Sequence, residues 1–131
     1  MTNGLDRRAE IDTEHFKALV LINGGGAVAL LAIMPSLLEK AGYANLTRAV
    51  MVGELLMAAG LVFAVVHNRY RRLCSLVYEQ HNMNPPGGSL FGFQLSKPRD
   101  CAISEWCMRA SLLMFIFAVL VVASVGLWTI R

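Results

Sequence analysis

The segment "KALVLINGGGAVALLAIMP", residues 17–35, sets an asparagine and three adjacent glycines inside a run that carries no charge from Ala18 to Met34. In water such a run makes a poor helix, because each glycine costs about 1 kcal/mol relative to alanine. It is not a phosphate loop either. Neither GxxxxGK[ST] nor GxGxxG spacing is present, and no strand pattern precedes it. In hydrocarbon the balance changes, since a backbone without water must satisfy its own hydrogen bonds and stays helical. Small side chains then let a second helix approach closely.

Two further blocks share this character. Residues 49–66, "AVMVGELLMAAGLVFAVV", hold one charge, Glu54, and residues 110–130, "ASLLMFIFAVLVVASVGLWTI", hold none. A span needs about 20 predominantly apolar residues. Hydrophobic residues make up 56% of the chain and charged ones 16%, against about 45–50% and 25% in soluble domains. The expectation is an all-α membrane protein: a single membrane domain over residues 1–131, spans near 18–38, 47–67 and 110–130, and a cytoplasmic segment 68–109. No internal repeat is visible.

The leading "LDRRAEIDTEHFK", residues 5–17, contains four acids and reads as a short charged helix rather than the basic start of a cleaved signal. Pro35 is expected to end the first span, with "SLLEKAGYANLT" forming a brief external hairpin. The second helix is expected to run on from Leu46 to Asn82, about 55 Å at 1.5 Å per residue. It should stop at "NMNPPGG", residues 82–88, where prolines and glycines cannot continue it. A third helix should start near Asp100 or Ser104.

Basic residues orient the chain. Arg7, Arg8 and Lys17 precede the first span, and Arg69, Arg71, Arg72, Lys97, Arg99 and Arg109 lie between the second and third. Only Lys40, Arg48 and Arg131 fall on the other side. The positive-inside rule therefore expects a cytoplasmic N-terminus and a periplasmic C-terminus in a bacterial inner membrane. The lipid bilayer is the first partner, and its headgroups account for the net charge of +3 without nucleic acid. Cys74, Cys101 and Cys107 fall on the cytoplasmic side and are expected as free thiols. With His67 and His81 they form no CxxC or HxxxH spacing, so neither metal nor cofactor is expected. There is no Ser-His-Asp set and no paired acids, so no enzyme is expected.

Two small-residue stripes, Gly25, Ala29 and Ala32 on the first span and Gly53, Gly60 and Ala64 on the second, are expected to meet within or between subunits. The alternative is that Asn23 with Gly24, Gly25 and Gly26 marks a bend or a pore lining. Glu54 is the more telling residue. An acid at mid-membrane costs about 2.5–3.5 kcal/mol on insertion scales, and apolar neighbours at about 0.3–0.6 kcal/mol each outweigh it. Insertion is secure, but the acid needs a wet or partnered position. Met57, Ala58, Leu61 and Val65 follow it as a greasy constriction, the pattern of a cation pathway with a dewetting gate. The competing reading is a protonated Glu54 bonded to carbonyls near Pro35. Asn23 lies at another depth and is not paired with it.

The cytoplasmic segment interleaves Arg69, Arg71, Arg72, Lys97, Arg99 and Arg109 with Tyr70, Tyr78, Phe91, Phe93 and Trp106. Such a mixture holds single-stranded nucleic acid through phosphates and base stacking. The same residues also make a membrane-interface belt, and by themselves they favour the belt. The loop "SLFGFQLSKPR" favours a ligand, because an anchor does not require two phenylalanines flanking a glycine.

The stretch "HFKALVLINGGGAVALLAI", residues 15–33, resembles the first helix of many small bacterial inner-membrane proteins of three or four spans. In size, span count and basic loop the chain is similar to the channel effectors of the Hailong antiphage system. That resemblance implies a homo-oligomeric, tetrameric ion channel. It would be held shut by DNA oligomers or a nucleotide signal from a partner nucleotidyltransferase, and would depolarise the membrane when it opens. Competing expectations are a phage holin, a small cation or multidrug exchanger working through Glu54, and an accessory subunit without transport.

Overall fold

A computed structural model of the chain describes residues 4–39, 41–80 and 99–129. Three long helices account for nearly all of them: α1, Gly4–Leu38; α2, Ala44–Gln80; and α3, Arg99–Thr129. A single 3-10 turn, Ala41–Tyr43, joins the first two. Each helix contains an 18-residue window of mean hydropathy 2.0, 2.3 or 2.6, long and apolar enough to cross a membrane. The protein is an all-α membrane protein.

The boundaries follow local chemistry. The charged leader and the first span are one continuous helix of 35 residues. Lys17 Nζ reaches Glu14 Oε1 at 2.7 Å, an (i, i+3) pair across the junction. Pro35 does not end α1, contrary to expectation, but lies inside it. Only one turn follows the proline, and its own carbonyl accepts the Glu39 amide at 3.4 Å; the missing Pro35 amide costs the bond back to Leu31. At the start of α2 the Thr47 hydroxyl donates to the Tyr43 carbonyl at 3.0 Å, which ties the helix to the turn before it. α2 is unbroken from Ala44 to Gln80, and its 37 residues make a rod of about 55 Å.

α2 is the central element. It packs antiparallel against α3 over most of the length of both, and α1 lies along its other flank, touching α3 little. The α2–α3 register is fixed by three pairings spread along α2 from Gly53 to Cys74. Gly53 sits on Ala118 and Val122, His67 on Ser104, and Cys74 on Cys101. The buried side of α2 repeats Val50, Gly53, Met57, Gly60, Ala64 and His67, alternating steps of three and four. Large apolar residues point the other way. Leu21 and Leu55 are each 72% exposed and Trp128 is 80% exposed, while Asn23, Thr47, His67, Ser104 and Ser111 are buried. In a soluble protein that distribution would be inverted. Hydrocarbon gives no reward for hiding leucine from itself, so small and polar groups take the helix contacts.

Candidate ion pathway and the buried polar seam

The interior of the protomer is closed by a polar node at mid-helix. Asn23 is completely buried. Its Nδ2 donates to the Leu19 carbonyl at 3.1 Å and to Ser111 Oγ at 3.2 Å, with the Ser111 carbonyl at 3.5 Å. Its Oδ1 accepts no hydrogen bond and rests against Gly60. A Cβ at Gly60 would collide with Oδ1 and lie 2.8 Å from Cγ. Asn23 thus pins α1 to both neighbours at one register. It is enclosed within the protomer, and α1 continues as helix through Gly24, Gly25 and Gly26.

The three consecutive glycines divide their roles because each residue turns the helix by about 100°. A Cβ at Gly24 or Gly25 would meet nothing within 4 Å. One at Gly26 would meet Met57 Sδ at 2.5 Å. Gly26, rather than Gly25, is the seat for α2. The expected stripe of Gly25, Ala29 and Ala32 faces outward and does not meet the Gly53–Gly60–Ala64 stripe within the protomer. The latter is fully used inside: Gly53 admits Val122 and Leu30, Gly60 admits Asn23, and Ala64 is wholly buried.

Glu54 lies on the flank of α2, half-buried and facing away from the node. Among the described residues its carboxyl makes no hydrogen bond or ion pair, with carbonyls near Pro35 or any other group. Ala58 and Val65, both exposed, and the half-buried Leu61 continue the same outward line. Met57 does not belong to that line. It is 4% exposed and turned inward onto Gly26, about 60° around the helix from Glu54 on the side of the buried Gly53 and Gly60.

The six basic residues proposed for a ligand are not one patch. Arg72 stands eighteen residues beyond Glu54, about five whole turns, and so continues its line toward the basic end. Exposed Arg69 stands beside it, and a shallow groove runs between Val65, Asn68, Arg69, Arg72 and Leu73. Arg71 is turned inward on the line of Gly53 and Ala64 and meets Asp12 of α1 at 3.4 Å. Arg109 is held by Glu105 at 2.5 Å, both mostly buried. Arg99 is exposed at the first position of α3. Phe91, Phe93 and Lys97 lie outside the described residues, as do His81 and the Tyr78 side chain. Trp106 is 62% exposed, as an interfacial anchor would be.

Two features were not anticipated. Cys74 and Cys101 form a disulfide, with Cα atoms 5.1 Å apart, and only Cys107 remains free. The expectation of three free thiols fails because helix register, not sequence spacing, brings together residues 27 apart. Nearby, His67 Nδ1 lies 2.7 Å from the Ser104 carbonyl, and Ser104 Oγ lies 3.3 Å from the His67 carbonyl. Both donors are used if Nδ1 carries the hydrogen. The seam was legible in one respect. Ser104, Cys107, Ser111 and Ala118 recur at steps of three, four and seven in a helix otherwise rich in leucine, valine and phenylalanine.

Comparison with protein-family models, with curated proteins and with solved structures found no match for this chain.

Proposed function

We propose that the chain is the subunit of a homo-oligomeric membrane channel, a tetramer, in which the outward line of α2 faces the shared axis. The observation that carries this reading is Glu54: a half-buried carboxyl within a span, on the flank of α2 and without a hydrogen-bond or ion-pair partner among the described residues. Against lipid alone it would cost about 2.5–3.5 kcal/mol at the centre of the span. In a ring of copies it is hydrated and attracts cations. Among the described residues Asn23, Met57 and Ser111 are buried between the three helices, and this reading places the pathway between copies rather than within one. Along the axis Leu61 and Val65 form the dewetting constriction, and Arg72 and Arg69 stand at the mouth beyond it. No catalysis is assigned.

The basic end lies in the cytoplasm of a bacterial inner membrane under this reading, as the nine-to-three split of basic residues favours. An anionic ligand at that mouth, a nucleotide or single-stranded DNA oligomer, would neutralise Arg69 and Arg72 and hold the gate. The resemblance of residues 15–33 to antiphage channel effectors supports a role in defence, with a partner nucleotidyltransferase as the source of the ligand.

Ion flux into proteoliposomes tests the proposal. Wild type should pass monovalent cations without a proton gradient, and Glu54→Gln should lower cation flux roughly tenfold, a change of about 1.4 kcal/mol in barrier. Oligonucleotide added on the basic side should reduce it further in wild type and not in Arg69→Ala/Arg72→Ala. Flux that appears only with a proton gradient would instead mark an exchanger. A solitary protomer in native membranes would end the channel reading.

A further inference from the structure

Of everything the proposed channel leaves unused, the cysteine pair at the basic end is the most specific chemical group. Cys74 lies on the extension of α2 and Cys101 is the third residue of α3, so the bond closes a covalent ring around the whole connecting segment. That segment carries Phe91, Phe93 and Lys97. The pairing follows the register already set by Gly53 with Ala118 and His67 with Ser104. Helix packing therefore brings the two sulfurs to bonding range. Cys107, buried on the same face, is left out of the pair.

Nine of the twelve basic residues lie on this side of the membrane. Disulfides in a reducing compartment are transient or redox-sensing rather than structural. We propose that Cys74 and Cys101 form a reversible redox latch that fastens the end of α2 to the start of α3. The proposal rests on the cytoplasmic placement of the basic end. Reduction begins at Cys74, the half-buried member, since Cys101 is only 9% exposed. A thiolate of a cytoplasmic dithiol attacks Cys74 Sγ, the Sγ–Sγ bond breaks, and Cys101 leaves as a thiolate that takes up a proton. The donor's second thiolate then releases Cys74, so the donor becomes a disulfide and two electrons pass to the pair. Closure runs in reverse, with a disulfide or azo oxidant accepting the two electrons and two protons.

The full chain in living cells provides the test. Thiols are trapped by acid, the protein is denatured, and a polyethylene-glycol maleimide counts them. In resting cells Cys107→Ser should gain two adducts, and after brief exposure to diamide, which is reduced to its hydrazine, none. Adducts should return after washout. Wild type should read three and one, which guards against a misfolded variant, and Cys74→Ser should lose the response. Alkaline phosphatase fused after Arg131 reports orientation separately. With an active phosphatase, a pair that remains oxidised throughout, or one that never closes under diamide, overturns the latch while leaving the orientation intact. An inactive phosphatase overturns both.

Discussion

Gly60→Ala adds one methyl group at the tightest point of the bundle. Its Cβ would strike Asn23 Oδ1 and stand 2.8 Å from Cγ and 3.3 Å from Nδ2. The Asn23 amide must then withdraw from Ser111 and Leu19, or α1 must move off α2. Overpacking of this kind costs about 1–3 kcal/mol. Interhelical polar contacts in membranes add about 0.6 kcal/mol each, up to 1.7. A loss of about 2–4 kcal/mol is expected from these two effects together. The assay is reversible unfolding in mixed detergent micelles, followed by circular dichroism. Gly25→Ala is the control, because its Cβ meets nothing and should be neutral or stabilising by up to about 1 kcal/mol. In an Asn23→Ala background the penalty at Gly60 should fall below about 1 kcal/mol, since neighbours that share a contact are non-additive. If Gly60→Ala proves as harmless as Gly25→Ala, or if its cost survives the removal of Asn23, the node does not hold the helices together as described.

The same unfolding assay should rank two other glycines. Gly53→Ala meets the branched Val122 at 2.8 Å and should cost about 1–2 kcal/mol, while Gly26→Ala meets only the flexible end of Met57 and should cost under about 1 kcal/mol; the reverse order would show that α2 is seated differently. Reducing Cys74–Cys101 opens a loop of 27 residues' separation and should lower stability by up to about 3.5 kcal/mol on the chain-entropy estimate. Cys74→Ser should then show no sensitivity to reductant, and any that remained would have to come from elsewhere.

The three spans were plain in the sequence because hydrocarbon imposes one strong condition on every residue of a crossing helix, and runs of about 20 apolar residues meet it visibly. The extension of α2 was legible for a related reason: no proline or glycine interrupts residues 61–80. The fate of Pro35 was not, since a proline one turn from a helix end is compatible with stopping there or three residues later. Nor could the thin stripes be matched. Gly24, Gly25 and Gly26 are chemically identical, and only the rotation of α1 about its axis decides that Gly26 receives Met57 while Gly25 faces outward.

Composition and the spacing of charges determined, without help from tertiary structure, that this chain crosses the membrane as three helices and keeps most of its basic residues at one end. Those properties are one-dimensional, because the bilayer acts on each segment separately. What only the packed structure decided is which faces look inward. Asn23 and Met57 are enclosed, Glu54 is left half-buried on the flank of α2, Arg71 is turned to Asp12 while Arg72 continues the line of Glu54, and two distant cysteines are brought to bonding range. The reason is physical. Lipid does not distinguish one apolar face of a helix from another, so the choice rests on close contacts such as a carboxamide seated on a glycine, and these exist only once the helices are in register.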